Sequence, residues 1–153
     1  NDYRGRLKEF LDSAFKTFNA DWGAWKGRLE NALVEFEAAS DALVKIFGPT
    51  VGRKPGSKQF NRAVFDFLAF YASEQVVRDK MMDAPDDVRQ VFESLFDDAD
   101  FRSATERDTA GVPNTVERLS KWGRALGSAL GMELPVPTAV AEGQEARVAF
   151  PGF

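Results

Sequence analysis

Apolar residues recur every three or four positions over most of this chain, the spacing that buries one face of an α-helix. A first run covers residues 3–18, with Asp2 in the N-cap position. A second run continues for about seven turns and ends at Gly48-Pro49, because glycine favours the left-handed cap and proline cannot continue a helix. Its apolar positions are Trp22, Trp25, Leu29, Ala32, Leu33, Phe36, Ala39, Leu43, Ile46 and Phe47. The pattern predicts two antiparallel helices joined near residues 19–21.

The middle of the chain predicts a loop followed by several shorter helices. Residues 48–57 hold three Gly and two Pro, which is typical of a loop. Ser57 is in position to cap a helix that is nearly apolar between residues 63 and 72, so we expect this helix at the centre of the bundle. A short helix over 74–82, another beginning at Pro85 and a brief helical turn over 98–107 follow.

The last helix has a recognisable start and end. Asn114 with Glu117 three residues later predicts a capping box, and Gly131 predicts the end of the helix. Residues 132–153 contain three Pro and no helical period, so they predict an extended arm or a disordered tail. The expected fold is therefore all-α: a bundle of about five to six helices in residues 1–131 with an irregular C-terminal tail over 132–153.

Composition supports a folded domain and narrows its setting. Of 153 residues, 44% are hydrophobic, including 14 Phe and three Trp, enough to build a core. No apolar run approaches the roughly 20 residues needed to cross a bilayer, so no membrane partner is expected. The chain begins at Asn1 rather than Met, and we expect a fragment or a processed product. The absence of Cys excludes disulfides, and we expect a cytoplasmic location.

The residue types that are missing exclude several kinds of active site. Without His there is no His-based acid–base centre, Ser-His triad or HNH-type nuclease centre. No Lys has Asp or Glu two positions before it, which removes the PD-(D/E)xK nuclease core. Asp98 and Asp100 begin like a calcium loop, but Arg102 stands at the next ligand position. We therefore predict no catalytic residue, no metal site and no cofactor.

Basic residues fall into two local groups despite a net charge of −4. The first lies in the loop and at the following helix start, and the second lies on the last helix, away from its apolar face. Loop cations beside a helix N-terminus suit a phosphate, but such residues more often belong simply to a solvated surface. The candidate DNA-phosphate contacts are Arg53, Lys54, Lys58, Arg62, Arg118, Lys121 and Arg124.

Aromatic residues are interpreted mainly as core. Trp22 and Trp25 share the phase of the long helix, and Trp122 shares that of the last, which favours packing over stacking on bases. Phe150 and Phe153 lack such phase and could engage a neighbouring domain.

Four stretches occur in an order that resembles one known family. They are YRGRLKEFLDSAFKTFN, the helix end LVKIFG, KQFNRAVFDFLAFYAS and FESLFDDADFRSATERDTAGVPNTVERLSKW, which together span about residues 3–130. This order is similar to the helical C-terminal portion of GmrSD-type proteins, whose characterised members restrict modified foreign DNA. In that family an N-terminal ParB/sulfiredoxin-like domain carries an Asp-Gly-Gln-Gln-Arg motif linked to nucleotide hydrolysis, and some members add an HNH-type nuclease domain.

The family's functional motif is absent from this chain. Its Gly143-Gln144 pair is flanked by Glu142 and Glu145, which is not the family signature, so no catalytic residue carries over. The resemblance implies a non-catalytic helical domain that supports the missing N-terminal domain of the same protein and contacts DNA. The alternative is a protein-interaction or scaffold module without a nucleic-acid role. A His-free enzyme has no motif to support it.

Overall fold

The computed structural model describes residues 3–143 and 145–150. Seven α-helices are found there: α1 (Leu7–Ala20), α2 (Trp22–Phe47), α3 (Arg62–Ala72), α4 (Gln75–Asp83), α5 (Pro85–Leu95), α6 (Ala99–Glu106) and α7 (Val112–Leu130). They are followed by two strands, β1 (Thr138–Glu142) and β2 (Glu145–Ala149). The prediction of a mainly helical protein is confirmed. The prediction of a strictly all-α fold with an irregular tail is wrong, because part of the tail forms an antiparallel hairpin.

The start of α3 differs from the sequence prediction. Asn61, rather than Ser57, caps this helix, and its side-chain oxygen accepts a hydrogen bond from the Val64 amide (3.2 Å). The preceding loop folds back on itself, since the Asn61 amide donates to the Gly52 carbonyl (2.7 Å) and Arg53 forms an isolated β-bridge with Phe60. Lys58 therefore lies before the helix and does not share a helical face with Arg62.

The start of α7 also differs. The helix begins at Val112 with Pro113 in its first turn, a position where the missing amide hydrogen costs nothing. Asn114 is already inside the helix, so the predicted capping box with Glu117 is wrong. The side-chain nitrogen of Asn114 (Nδ2) instead donates to the carbonyl oxygens of Arg107 (2.9 Å) and Asp108 (3.2 Å), fixing the loop between α6 and α7.

The core is centred on aromatic side chains from α3, α5, α6 and α7. Phe67 and Trp122 are fully buried, with ring centroids 5.6 Å apart. Phe67 also contacts Phe101 at 5.5 Å, and Trp122 contacts Phe92 at 6.2 Å. The central position of α3 and the burial of Trp122 are thus confirmed.

The first helix and the first half of α2 lie outside this core. No described residue of α1 is buried, and α2 buries side chains only from Ala39 onward. We call α1 and residues 22–38 of α2 the arm. Trp22 is 53% exposed, so its predicted burial is wrong, whereas Trp25 is half-buried against Phe18 with centroids 5.0 Å apart. In a pair of helices, each helix covers only one face of the other. The apolar stripe of α2 is longer than the part covered by the other helices, so its first half stays partly exposed.

The hairpin pairs Thr138 with Ala149 and Glu142 with Glu145. It packs against α7, and Val148 is buried with its amide donating to the Tyr3 carbonyl (3.0 Å). Phe150 stacks on Phe70 with centroids 4.7 Å apart. The division at residue 131 stays a prediction. Asp2, Gln144 and Phe153, which entered the sequence interpretation, lie outside the described residues.

Tyr71 links this tail to the bundle. Its hydroxyl lies 3.1 Å from the Leu119 carbonyl oxygen and 2.9 Å from that of Pro135, so its proton is donated between them. Burial raises the pKa of Tyr71, which keeps the hydroxyl protonated as a donor. Gly123 makes room for it, because a Cβ at this position would come within 2.2 Å of the Tyr71 oxygen.

Candidate functional site

A pocket of about 170 Å³ lies between the start of the described chain, α3, α7 and the loop that precedes α7. We call it the Arg118 pocket. Its polar side chains are those of Tyr3, Arg62, Asp66, Thr109, Thr115 and Arg118. Apolar side chains of Leu7, Phe67, Phe70 and Leu119 complete the lining. The pocket therefore brings together one residue from each of the two basic groups.

Arg118 is the most unusual residue of this pocket because it is only 4% exposed. Its Nη1 donates to the Ala104 carbonyl (3.2 Å), and its Nη2 is 3.5 Å from the Thr115 hydroxyl. Its Nε is buried without a hydrogen-bond partner. Within residues 3–143 and 145–150, no carboxylate approaches the guanidinium within 4.0 Å. A guanidinium has five N–H donors, so three of those of Arg118 have no protein acceptor among the described residues.

The end of α6 explains why an arginine is held here. The last carbonyls of a helix lack intrahelical partners and favour a cation. Arg118 donates to the Ala104 carbonyl, and the Asn61 side-chain amide donates to that of Thr105 (2.9 Å). This cap corrects the prediction that Arg118 faces solvent with Lys121 and Arg124. The hydrogen bond to Ala104 uses only one of the three guanidinium nitrogens, Nη1.

Arg62 and Asp66 lie on α3 one turn apart at the same pocket. Their side chains are exposed, with Arg62 Nε 3.9 Å from Asp66 Oδ2. Partial desolvation raises the pKa of Asp66, while the positive charges of Arg62 and Arg118 oppose that rise. Burial lowers the pKa of Arg118, and the charge of Asp66 opposes this, but an arginine stays protonated at neutral pH. Two cations and one carboxylate leave the pocket with a net positive charge.

Tyr3 contributes a hydroxyl that is already engaged as a donor. It donates to the Ala110 carbonyl at 2.6 Å, and burial raises the pKa of Tyr3. This bond ties the first described residue to the loop that carries Thr109 and so helps to close the pocket.

The other predicted contacts are distributed differently. Lys54 lines a more open neighbouring cleft, which shares Arg62 and Thr109 with the Arg118 pocket, but its ammonium pairs with Glu106 (2.5 Å). Lys121 bonds to Asp98 and Glu117, both at 2.7 Å, and the hydrogen bond from Lys121 lowers the pKa of Asp98. Arg53 is half-buried. Lys58 and Arg124 are exposed and line neither cavity.

Four polar residues of the pocket were not singled out as candidates from the sequence. Asp66, Thr109 and Thr115 carried no site motif, and Tyr3 was noted only as the start of an apolar run. One signal was present, since Asp66 lies four positions after Arg62 and Thr115 lies three before Arg118, the spacings of neighbours on a helix surface. That spacing does not reveal that the two helices meet.

Within residues 3–143 and 145–150, no group of three or more His, Cys, Asp or Glu is placed to hold a metal ion. No helix among the same residues has both the length and the apolar character needed to span a bilayer. Comparison with known proteins found no matching family model, no matching curated protein and no matching solved structure.

Proposed function

We propose that this chain is a non-catalytic helical domain of a modification-dependent DNA restriction protein of the GmrSD type. In this proposal it acts in the cytoplasm, supports a nucleotide-hydrolysing N-terminal domain and contacts the DNA backbone. The observation that carries the DNA contact is the convergence of Arg62 and Arg118, from distant parts of the sequence, on one pocket that Thr109 and Thr115 also line.

These side chains are of the types that position DNA phosphates. Arginines, threonine hydroxyls and helix N-termini supply most protein contacts to the phosphate backbone. Arg62 is the first residue of α3, and Thr115 lies in the first turns of α7, so both helices present their positive ends near the pocket. The adjoining cleft with Lys54 extends the same face.

Internal ion pairs limit how strongly this face can bind. Lys54 is already paired with Glu106, and Arg62 lies beside Asp66. A contact made through a few phosphates is weak and depends on salt, because each neutralised phosphate releases a counterion. The domain therefore adds backbone contacts to binding that another part of the protein directs.

Reversing the charge of Arg62 and of the neighbouring loop residue Lys58 tests the proposal. In the full-length protein, Lys58→Glu with Arg62→Glu is expected to lower duplex affinity at least about tenfold at low salt. The slope of log affinity against log salt should fall by about two. Fluorescence anisotropy over a salt series measures both. The control, Lys16→Glu with Lys26→Glu, makes the same change of charge on the arm. Equal affinities and slopes in the two variants would refute the DNA contact.

A second candidate function, a protein-interaction module, is favoured by the arm. Its exposed apolar side chains are Leu11, Phe15, Trp22, Leu33, Val34 and Phe36. Exposed apolar residues also occur elsewhere on the described surface and are normal when scattered, but six on one pair of helices outside the core favour an interaction surface. The partner in this hypothesis is the N-terminal domain of the same protein.

Polar substitutions in the arm test this alternative. Phe15→Ser with Leu33→Ser is expected to weaken association of the chain with the separately produced N-terminal domain by about tenfold or more, because both lose apolar contact area. Sedimentation or calorimetric titration measures the affinity. Lys16→Ser with Asn31→Ser, on the same two helices, is the matched control. If the apolar pair and the control pair bind alike, the arm is not the interface.

A further inference from the structure

We propose that the Arg118 pocket binds a single phosphate group, anchored by Arg118 and Arg62 and hydrogen-bonded by the hydroxyls of Thr109 and Thr115. The inference deepens the proposed DNA contact and rests on it only for the source of the phosphate. The phosphate is either the end of a nucleic-acid strand or free in solution.

The first argument is the state of Arg118. Burying a charge is costly unless it is paired. A guanidinium that loses its hydration without gaining a counterion keeps an uncompensated positive charge. Arg118 is almost fully buried, has one good hydrogen bond and no carboxylate within 4.0 Å in the described chain. The charge of Asp66 acts on Arg118 only from beyond 4.0 Å, so an anion in the adjacent cavity supplies a counter-charge in direct contact. The planar guanidinium suits a phosphate in particular, because its donors match two phosphate oxygens at once.

The second argument is that the candidate donors come from several elements of the fold. Arg62 comes from α3, Thr115 and Arg118 come from α7, and Thr109 comes from the loop between α6 and α7. A carboxylate offers two oxygens in one plane, whereas a phosphate offers oxygens in several directions. Donors that surround a cavity from three elements of the fold therefore favour the tetrahedral anion.

The third argument is the size and lining of the cavity. A volume of about 170 Å³ has room for a few water-sized groups, as a single phosphate group requires. Phe67, Phe70 and Leu119 line it beside the charged groups. Apolar walls lower the local dielectric, so the attraction between the anion and the two arginines is stronger than on an open surface.

Asp66 gives the proposal a signature that a purely structural role of the pocket lacks. Its carboxylate lies beside Arg62 and lines the same cavity, so it repels an anion there. Removing its charge should strengthen phosphate binding, whereas removing the charge of Arg62 should weaken it. Opposite effects from two neighbouring exposed residues of one helix are not expected from general destabilisation.

The test measures binding of inorganic phosphate to the 153-residue chain by calorimetry, with chloride at matched ionic strength. Arg62→Gln is expected to weaken binding by about fivefold or more, and Asp66→Asn to strengthen it by about threefold or more. Arg124→Gln, an exposed arginine of α7 outside the pocket, should leave it unchanged. Arg118→Met should abolish binding. Because this substitution also removes the cap of α6, the two α3 variants keep the test decisive.

A second part of the experiment distinguishes the two possible sources of the phosphate. A single-stranded oligonucleotide with a 5′-phosphate is compared with the same oligonucleotide ending in a 5′-hydroxyl. Tighter binding of the phosphorylated strand, lost in Arg62→Gln, supports a nucleic-acid end. Binding of inorganic phosphate with no difference between the strands supports a free phosphate, and leaves the pocket standing even if the DNA proposal fails. Absence of both responses, or equal effects of Arg62→Gln and Arg124→Gln, overturns the inference.

Discussion

Trp122→Ala is expected to lower the free energy of unfolding by about 3–5 kcal/mol, the usual cost of truncating a buried large aromatic side chain. Trp122 is fully buried on α7 and contacts Phe67 of α3 and Phe92 of α5. Truncating the side chain leaves a cavity where three helices meet. The surrounding helices can relax only partly to fill it. Urea unfolding followed by far-ultraviolet circular dichroism measures the effect.

Trp122→Phe provides the matched comparison. The indole nitrogen of Trp122 is buried without a hydrogen-bond partner, so phenylalanine removes an unsatisfied donor while it keeps most of the packing. We expect this variant to lose much less stability than Trp122→Ala. The total free energy of unfolding of a domain of this size is about 5–15 kcal/mol. The alanine variant should therefore also unfold at a much lower urea concentration. A cost below about 1 kcal/mol for Trp122→Ala would contradict the central position of this side chain.

The central helices could be predicted from the sequence because their own pattern carries the information. Residues 63–72 are almost continuously apolar, which only a surrounded helix tolerates, and Trp122 lies in phase with Leu119 and Leu126. The structure buries all of Phe67, Leu68, Trp122 and Leu126. In such segments the local period and the tertiary environment agree.

The arm and the hairpin could not be predicted in the same way. The period of α2 indicates which face is apolar, but not whether another helix covers it, and Trp22 is left exposed. In the hairpin, Ala139, Ala141 and Ala146 weaken the alternation expected of strands, and the surrounding prolines favour a loop. Pairing of β1 with β2 depends on the turn at Gly143, whose φ of 65° suits glycine.

The candidate site was only partly accessible from the sequence. Arg62 and Arg118 were identified as basic residues, but charge alone predicts exposure, and the burial of Arg118 depends on the free carbonyls at the end of α6. The meeting of α3 and α7 is a tertiary contact with no local signal. For the same reason, no local signal in the sequence predicts that Asp66 lies at the same pocket as the two arginines.

Leu43→Ala is expected to cost about 2–5 kcal/mol, whereas Leu33→Ala should cost less than about 1 kcal/mol. Both residues belong to the apolar stripe of α2, so the substitution changes helix propensity equally at the two positions. Leu43 is fully buried beneath the bundle, and Leu33 is 57% exposed on the arm. The difference in unfolding free energy, measured in urea under one set of conditions, therefore reports burial alone.

The comparison also bears on what the arm is for. If Leu33→Ala costs as much as Leu43→Ala in the isolated chain, the arm face is already covered in solution, by a second copy or by the chain itself. A large difference means that the face is free to pack against another protein. In that case Leu33→Ala should become costly only in the complex with the N-terminal domain, because the contacts of Leu33 then form on binding rather than on folding.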